Sequence, residues 1–172
     1  VSDKNIASLK NSIQNSKLTN QDMVTTAWAS ASTFRISDRR GGANGSRIRL
    51  EPQINWESNN PEQLKRILNS YREIQQEFES NSNQKISIAD LIVLGGCVAI
   101  EDAASKAGYD ISVPFSAGRM DASSEETNIQ GMEVLEPMAD GFRNYQKADY
   151  TLTAEQLLVD KSQLLTLTAP EM

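Results

Sequence analysis

Between Ser87 and Gly108 lies the stretch Ile88 to Ile100, which is apolar on every side when wound as a helix. Such a helix has no face to offer water. It has to run through the middle of a core with other elements wrapped around it. Ser87, with Asp90 three residues on, supplies a start signal, and Gly108 supplies the C-terminal stop. The longest apolar run, Leu91 to Ile100, falls far short of the ~20 residues a bilayer span needs, so the stretch reads as a core helix and no membrane partner is expected.

The partners of that helix are legible as periodic segments. Ile6, Leu9 and Ile13 follow Ser2-Asp3 at helical spacing. Thr19 and Asp22 open a second helix, with Met23, Ala27, Ala31 and Phe34 on one face and Trp28 beside it. Asn60-Pro61-Glu62 opens the clearest amphipathic helix, carrying Leu64, Ile67, Leu68, Tyr71, Ile74 and Phe78. Thr153 and Gln156 cap a last helix through Leu157 and Leu158 to about Leu164. Residues 36–60 lack periodicity and read as a long loop, as does most of Tyr109 to Tyr150 apart from a helical turn around Met132 to Met138. Alternating strands are not evident, and Val113-Pro114-Phe115 makes at most an isolated extended piece. The predicted fold class is all-α, in a single domain over residues 1–172, consistent with roughly 150 residues per domain. Thr168-Ala169-Pro170-Glu171 has the form of a capping box with Pro in the first turn, one residue before Met172. The expectation is a fragment, truncated before its last helices.

Composition removes several chemistries. The chain has no histidine, so no imidazole of its own can serve as general base, proton shuttle or metal ligand. Ser-His-Asp and Cys-His hydrolases, His-zinc sites and His-ligated haem all need that residue. Cys97 is the single cysteine, which excludes an internal disulfide and a multi-cysteine cluster. With 17 basic and 23 acidic residues the net charge is −6, which argues against nucleic acid as the main partner. Val1-Ser2-Asp3-Lys4-Asn5 leads into an amphipathic stretch rather than an apolar one, so a signal peptide is not expected, and a lone reduced thiol suits a cytoplasmic location.

The remaining candidates for chemistry each have a plainer alternative. Arg35, Arg39, Arg40, Arg47 and Arg49 crowd around Gly41-Gly42-Ala43-Asn44-Gly45. That loop, 35–49, could cradle a phosphate or another anionic partner and act as a stand-alone interaction module. It lacks the Gly-Lys-Ser/Thr of a P-loop, and the plainer reading pairs its arginines with the chain's own carboxylates. Cys97, between Gly96 and Val98 in the apolar helix, reads as a buried thiol rather than a nucleophile or haem ligand. Glu101-Asp102 and Glu125-Glu126 are adjacent pairs that do not face one another on a helix, so a solvated face is expected rather than paired acid–base chemistry. Asp121 reads as an ion-pair or turn residue, and Trp28, among small neighbours, as core packing.

Several of these segments together resemble one family. Thr26-Ala27-Trp28-Ala29-Ser30-Ala31-Ser32-Thr33-Phe34-Arg35, then Arg39 to Gly45 and Pro52…Trp56, resemble the distal-helix region of catalase-peroxidases, in the bacterial branch of the plant-type haem peroxidase superfamily. Ala89 to Gly96 and Val113-Pro114-Phe115…Gly118-Arg119-Met120-Asp121 are similar to two further family segments in the same order. Asp140 to Tyr145 and Leu164 to Met172 also look familial. The resemblance implies a peroxidase-like helical domain. Family members hold two peroxidase-like halves, of which the N-terminal one carries haem b. Their active distal side has an Arg, then Trp-His; here those positions are Thr25, Trp28 and Ala29. A distal His takes the peroxide proton and the Arg stabilises charge as the O–O bond breaks. Thr25 and Ala29 can do neither, so they read as vestigial positions. The resemblance therefore implies a C-terminal half with no catalytic residues, cofactor or metal of its own. The iron-ligating His position is expected beyond Met172, on the helix that Thr168 opens. The implied partners are the N-terminal haem domain of the same chain and a second copy in a homodimer, and the implied parent decomposes hydrogen peroxide and oxidises small donors.

Overall fold

The computed structural model describes residues 2–148, 151–164 and 166–171; Val1, Tyr150, Leu165 and Met172, named above, lie outside them. The chain divides into two compact units, Val1–Leu135 and Glu136–Met172.

In the first unit the apolar stretch is a helix at the centre of the core. Four helices build this unit's core: α1 (Asp3–Gln14), α2 (Asn20–Ala31), α3 (Pro61–Asn81) and α4 (Ile88–Lys106). Helix α4 touches the other three, with its most extensive contact against α2. Leu91, Ile92, Leu94, Val98 and Ala99 of α4 are buried together with Leu9 and Ile13 of α1 and Leu64, Ile67, Leu68 and Tyr71 of α3. Helix α4 runs beyond Ile100 to Lys106 and ends in a Schellman motif, with Tyr109 N–H donating to Ala104 O at 2.9 Å and Gly108 N–H to Ser105 O at 3.0 Å. Gly108 supplies the left-handed φ of +88° that this stop requires.

The start signals act where the sequence puts them. Ser87 Oγ accepts from Asp90 N–H at 3.0 Å. Thr19 and Asp22 form a full capping box. Helix α3 begins differently: Asn60 adopts φ +49° with no side-chain cap bond, a conformation Asn tolerates, and Pro61 supplies the first-turn residue. The aperiodic segment 36–60 contains three 3₁₀ turns, at Arg47–Arg49, Gln53–Asn55 and Glu57–Asn59.

The face that α2 buries differs from the expected one. Met23 is buried, but Ala31 is exposed and Phe34 is 54% exposed. The buried face is Asp22, Met23, Thr26, Ala29 and Ser30, continued by Thr33. The cause is close approach to α4: a Cβ on Gly96 would lie 2.9 Å from the Ala27 Cβ. At that separation only small side chains fit between the helices, so the bulkier apolar residues are turned to the rim. Gly95 is just as constrained, since a Cβ there would meet the Tyr71 hydroxyl at 2.0 Å.

A short helix, α5 (Ile129–Glu133), replaces the turn expected around Met132 to Met138. It starts earlier because the Asn128 side chain accepts from Gly131 N–H at 3.0 Å.

The second unit holds a hairpin, β1 (Ala139–Asp140) with β2 (Tyr145–Gln146), antiparallel with Ala139 opposite Gln146 and Asp140 opposite Tyr145. Its two-residue strands are too short to leave an alternating pattern, and the all-α class stands. Arg143 closes the turn with an ion pair to Asp140 at 2.6 Å. Helix α6 (Ala154–Leu164) opens as expected, Gln156 Oε1 accepting from Thr153 N–H at 3.0 Å. Thr168 N–H donates to Glu171 Oε2 at 2.8 Å at the start of a 3₁₀ turn, Ala169–Glu171.

Candidate functional site

Helix α2 positions the three side chains singled out by the resemblance. Thr25 Oγ1 donates along its own helix, to Gln21 O at 2.7 Å and Asp22 O at 3.3 Å. That hydroxyl is spent locally. Ala29 is 5% exposed and belongs to the core cluster, so its methyl group is covered by the chain's own side chains. Trp28 is half-buried and lies outside that cluster, so the core-packing expectation fits Ala29 better than the indole. The helix is oriented by Asp22. Its carboxylate accepts from Thr19 N–H at 3.0 Å, Gln63 Nε2 at 2.8 Å and Arg66 Nη2 at 2.7 Å, tying α2 to α3. Burial pushes the Asp22 pKa up, but these hydrogen bonds outweigh it and leave the carboxyl below its ordinary value.

The arginine–glycine loop is built as a second layer against α2. Thr33 Oγ1 accepts from Gly42 N–H at 2.9 Å, and the backbone there leaves no room for a side chain, since a Cβ on Gly41 would strike Thr33 O at 2.0 Å. Arg35 and Arg40 both pair with Asp38, in line with the plainer sequence reading, and the Arg35 side chain holds the Asp38 carboxyl down at about 2. Arg47 and Arg49 instead donate to backbone carbonyls, of Glu126 and Ala122 respectively. Arg39 makes no ion pair among the described residues.

Residues far away in sequence complete this region. Gly45 N–H donates to Met120 O at 2.7 Å, Ala122 N–H donates to Gly45 O at 2.8 Å, and Met120 N–H donates to Asn44 Oδ1 at 3.0 Å. Asp121 is a turn residue that also acts over a long range. Its carboxylate accepts from Ile88 N–H at 2.8 Å and Ala89 N–H at 2.9 Å, capping α4 from outside. Asp90 answers from inside α4, accepting from Gly118 N–H at 2.8 Å and Arg119 Nη1 at 2.9 Å. Arg119 thereby joins Arg39, Arg40 and Arg47 around one cleft of about 590 Å³. Sequence reasoning missed Arg119 because only folding brings the two loops together.

The other candidates act as ties. Glu101 is not on a solvated face: it binds Lys10 at 2.7 Å and accepts from Val113 N–H at 2.8 Å, while Asp102 pairs with Lys106 at 2.5 Å. Glu126 accepts from Ser123 N–H at 2.8 Å on the surface. Cys97 is buried, and burial pushes its thiol pKa up, so the thiolate is disfavoured.

Helices packed around a buried central helix place the chain in the class of all-α domains. A family model described as "Peroxidase" matches residues 5–172, and the chain belongs to the peroxidase family. It is 58% identical over 174 residues to the catalase-peroxidase of Chlorobium phaeobacteroides (strain BS1), covering 100% of this chain and 24% of that protein. It is 60% identical over 172 residues to catalase-peroxidase 2 of Alkaliphilus metalliredigens (strain QYMF), covering 100% of this chain and 40% of that protein. The catalase-peroxidase of Hahella chejuensis (strain KCTC 2396) is 58% identical over 174 residues, with 100% and 24% covered. The chain thus spans between a quarter and two fifths of the length of these curated relatives.

The family implies haem, and the residues at the distal-side positions of this chain supply neither a base nor a cation for peroxide chemistry on it. The chain has no imidazole, its one thiol is buried and held protonated, the Ala29 methyl is enclosed, and the Thr25 hydroxyl is committed to its own helix.

Proposed function

We propose that these residues form the C-terminal, non-catalytic half of a catalase-peroxidase and serve as a structural platform for the N-terminal haem half. The parent would decompose hydrogen peroxide and oxidise small donors with haem b held in that other half, in the cytoplasm and as a homodimer. The observation that carries this reading is the pair Thr25 and Ala29. One is a hydroxyl bonded to Gln21 O at 2.7 Å and the other an enclosed methyl, where peroxide cleavage calls for a cation and a base. Alignment with only part of each catalase-peroxidase relative, over all of this chain, supports placement as one portion of a larger enzyme.

The test is made in the full-length parent. Trp28→Phe leaves peroxide turnover within about two-fold, because the indole touches no reacting atom. Asp22→Ala, which loosens α2 from α3, lowers turnover together with haem occupancy. Loss of turnover in Trp28→Phe with haem occupancy intact would overturn the reading.

A further inference from the structure

The cleft beside α2 has a lining out of keeping with the chain around it. The chain carries a net charge of −6, yet Arg39, Arg40, Arg47 and Arg119 line this cleft and, among the described residues, no carboxylate does. Three of the guanidiniums are fixed by contacts that engage part of each donor fork. Arg40 Nε lies 3.5 Å from Asp38, and its Nη1 packs where Gly131 leaves room, 2.9 Å from the point a Cβ would occupy. Arg47 donates to Glu126 O at 3.1 Å, while its buried Nε has no partner among the described residues. Arg119 donates to Asp90 Oδ1 at 2.9 Å and to Ser116 O at 2.8 Å. Each arginine has five N–H donors, so most remain uncommitted. Arg39 is exposed, with φ +58°, on a turn whose Arg40 and Gly42 amides are spent on Asp38 Oδ1 and Thr33 Oγ1, so the donors the cleft offers are its guanidiniums. Phe34, more than half exposed, gives the same cleft an apolar wall.

We infer that this cleft binds a small multivalent oxyanion, a phosphate or a polycarboxylate. Arg40 and Arg119 are each partly neutralised by a carboxylate behind the cleft, Asp38 and Asp90, whereas Arg39 and Arg47 have no ion-pair partner among the described residues; an anion of charge two compensates those two while accepting paired bonds from the guanidinium forks. Because protein contacts already hold three of the forks, little side-chain freedom is lost on binding. A volume of about 590 Å³ suits a small molecule. The site does not depend on the platform role proposed above.

The experiment is calorimetric titration of inorganic phosphate and, separately, of citrate into the protein, with the two anions matched in ionic strength and each titration repeated at several sodium chloride concentrations. At least one of the two gives saturable one-to-one binding that weakens as chloride is raised, and the arm that binds more tightly identifies the source of the oxyanion. Arg39→Gln and Arg40→Gln, both at exposed positions, each weaken that binding at least about ten-fold. Arg72→Gln, on α3 outside the cleft, leaves it unchanged. Absence of saturable heat with either anion overturns the inference. So does undiminished binding by both cleft variants, or binding of single-stranded RNA with no response to phosphate or citrate.

Discussion

Replacing Asp22 by alanine probes the joint that sets the orientation of α2. The carboxylate is 3% exposed and holds three donors: Thr19 N–H, Gln63 Nε2 and Arg66 Nη2. Removing it breaks half of a capping box, a loss of about 1 kcal/mol. Breaking a fully buried ion pair costs about 3–5 kcal/mol, but Arg66 is 52% exposed and rehydrates once freed, so only a fraction of that applies here. The expected total is about 2–3 kcal/mol, equivalent to a fall in Tm of about 5–10 °C for a chain of this size. Urea denaturation followed by far-UV circular dichroism reads it directly.

The pH dependence fixes the sign. The folded-state pKa of Asp22 lies below its ordinary 3.8, so the unfolded chain takes up this proton first on acidification. The stabilisation is therefore present in full well above 3.8 and is lost as pH falls through the folded value. The stability gap between the unsubstituted chain and Asp22→Ala should be constant near neutrality and should narrow under acid. A loss below about 1 kcal/mol at pH 7, or a gap that widens on acidification, would show that Asp22 is not the joint between α2 and α3.

Other substitutions test neighbouring joints. Gly95→Ala drives a methyl group into the Tyr71 hydroxyl and should cost about 1–3 kcal/mol in urea melts, with part of that recovered in the Gly95→Ala/Tyr71→Phe double variant. Tyr71→Phe alone should be close to neutral, since that buried hydroxyl has no hydrogen-bond partner among the described residues. Asp121→Ala uncaps α4 and should cost about 1–2 kcal/mol, and native-state hydrogen exchange should quicken at Ile88 and Ala89, whose amides it accepts from. Ala29→His places an imidazole in an enclosed position and should destabilise by about 1–3 kcal/mol without conferring peroxide turnover.

Features encoded over one or two helical turns were legible before folding. The all-round apolar stretch identified α4, Ser87 and Gly108 marked its ends, and spacing alone placed Leu64 to Ile74 on the buried face of α3. Legibility failed where the answer depended on what lies opposite. Ala31 and Phe34 look like core residues, and only the close approach of Gly96 of α4 to Ala27 explains why α2 turns small residues inward instead. Asp121 carries no local sign that it caps a helix 33 residues earlier, and Arg119 no sign that it faces the 35–49 loop. The reading of Thr25 and Ala29 as vestigial comes only through the family resemblance, since nothing in the residues themselves marks these two positions. Neither a hydroxyl bonded within its helix nor a methyl group titrates near neutral pH, wherever it points.

Adding haem to the purified protein and following the Soret region through a stoichiometric titration puts the haem-less reading of this domain at risk. The expected result is free-haem absorbance throughout and no peroxide turnover beyond that of haem in buffer. A saturating one-to-one Soret band with an axial protein ligand, accompanied by peroxide cleavage that Trp28→Phe abolishes, would contradict it.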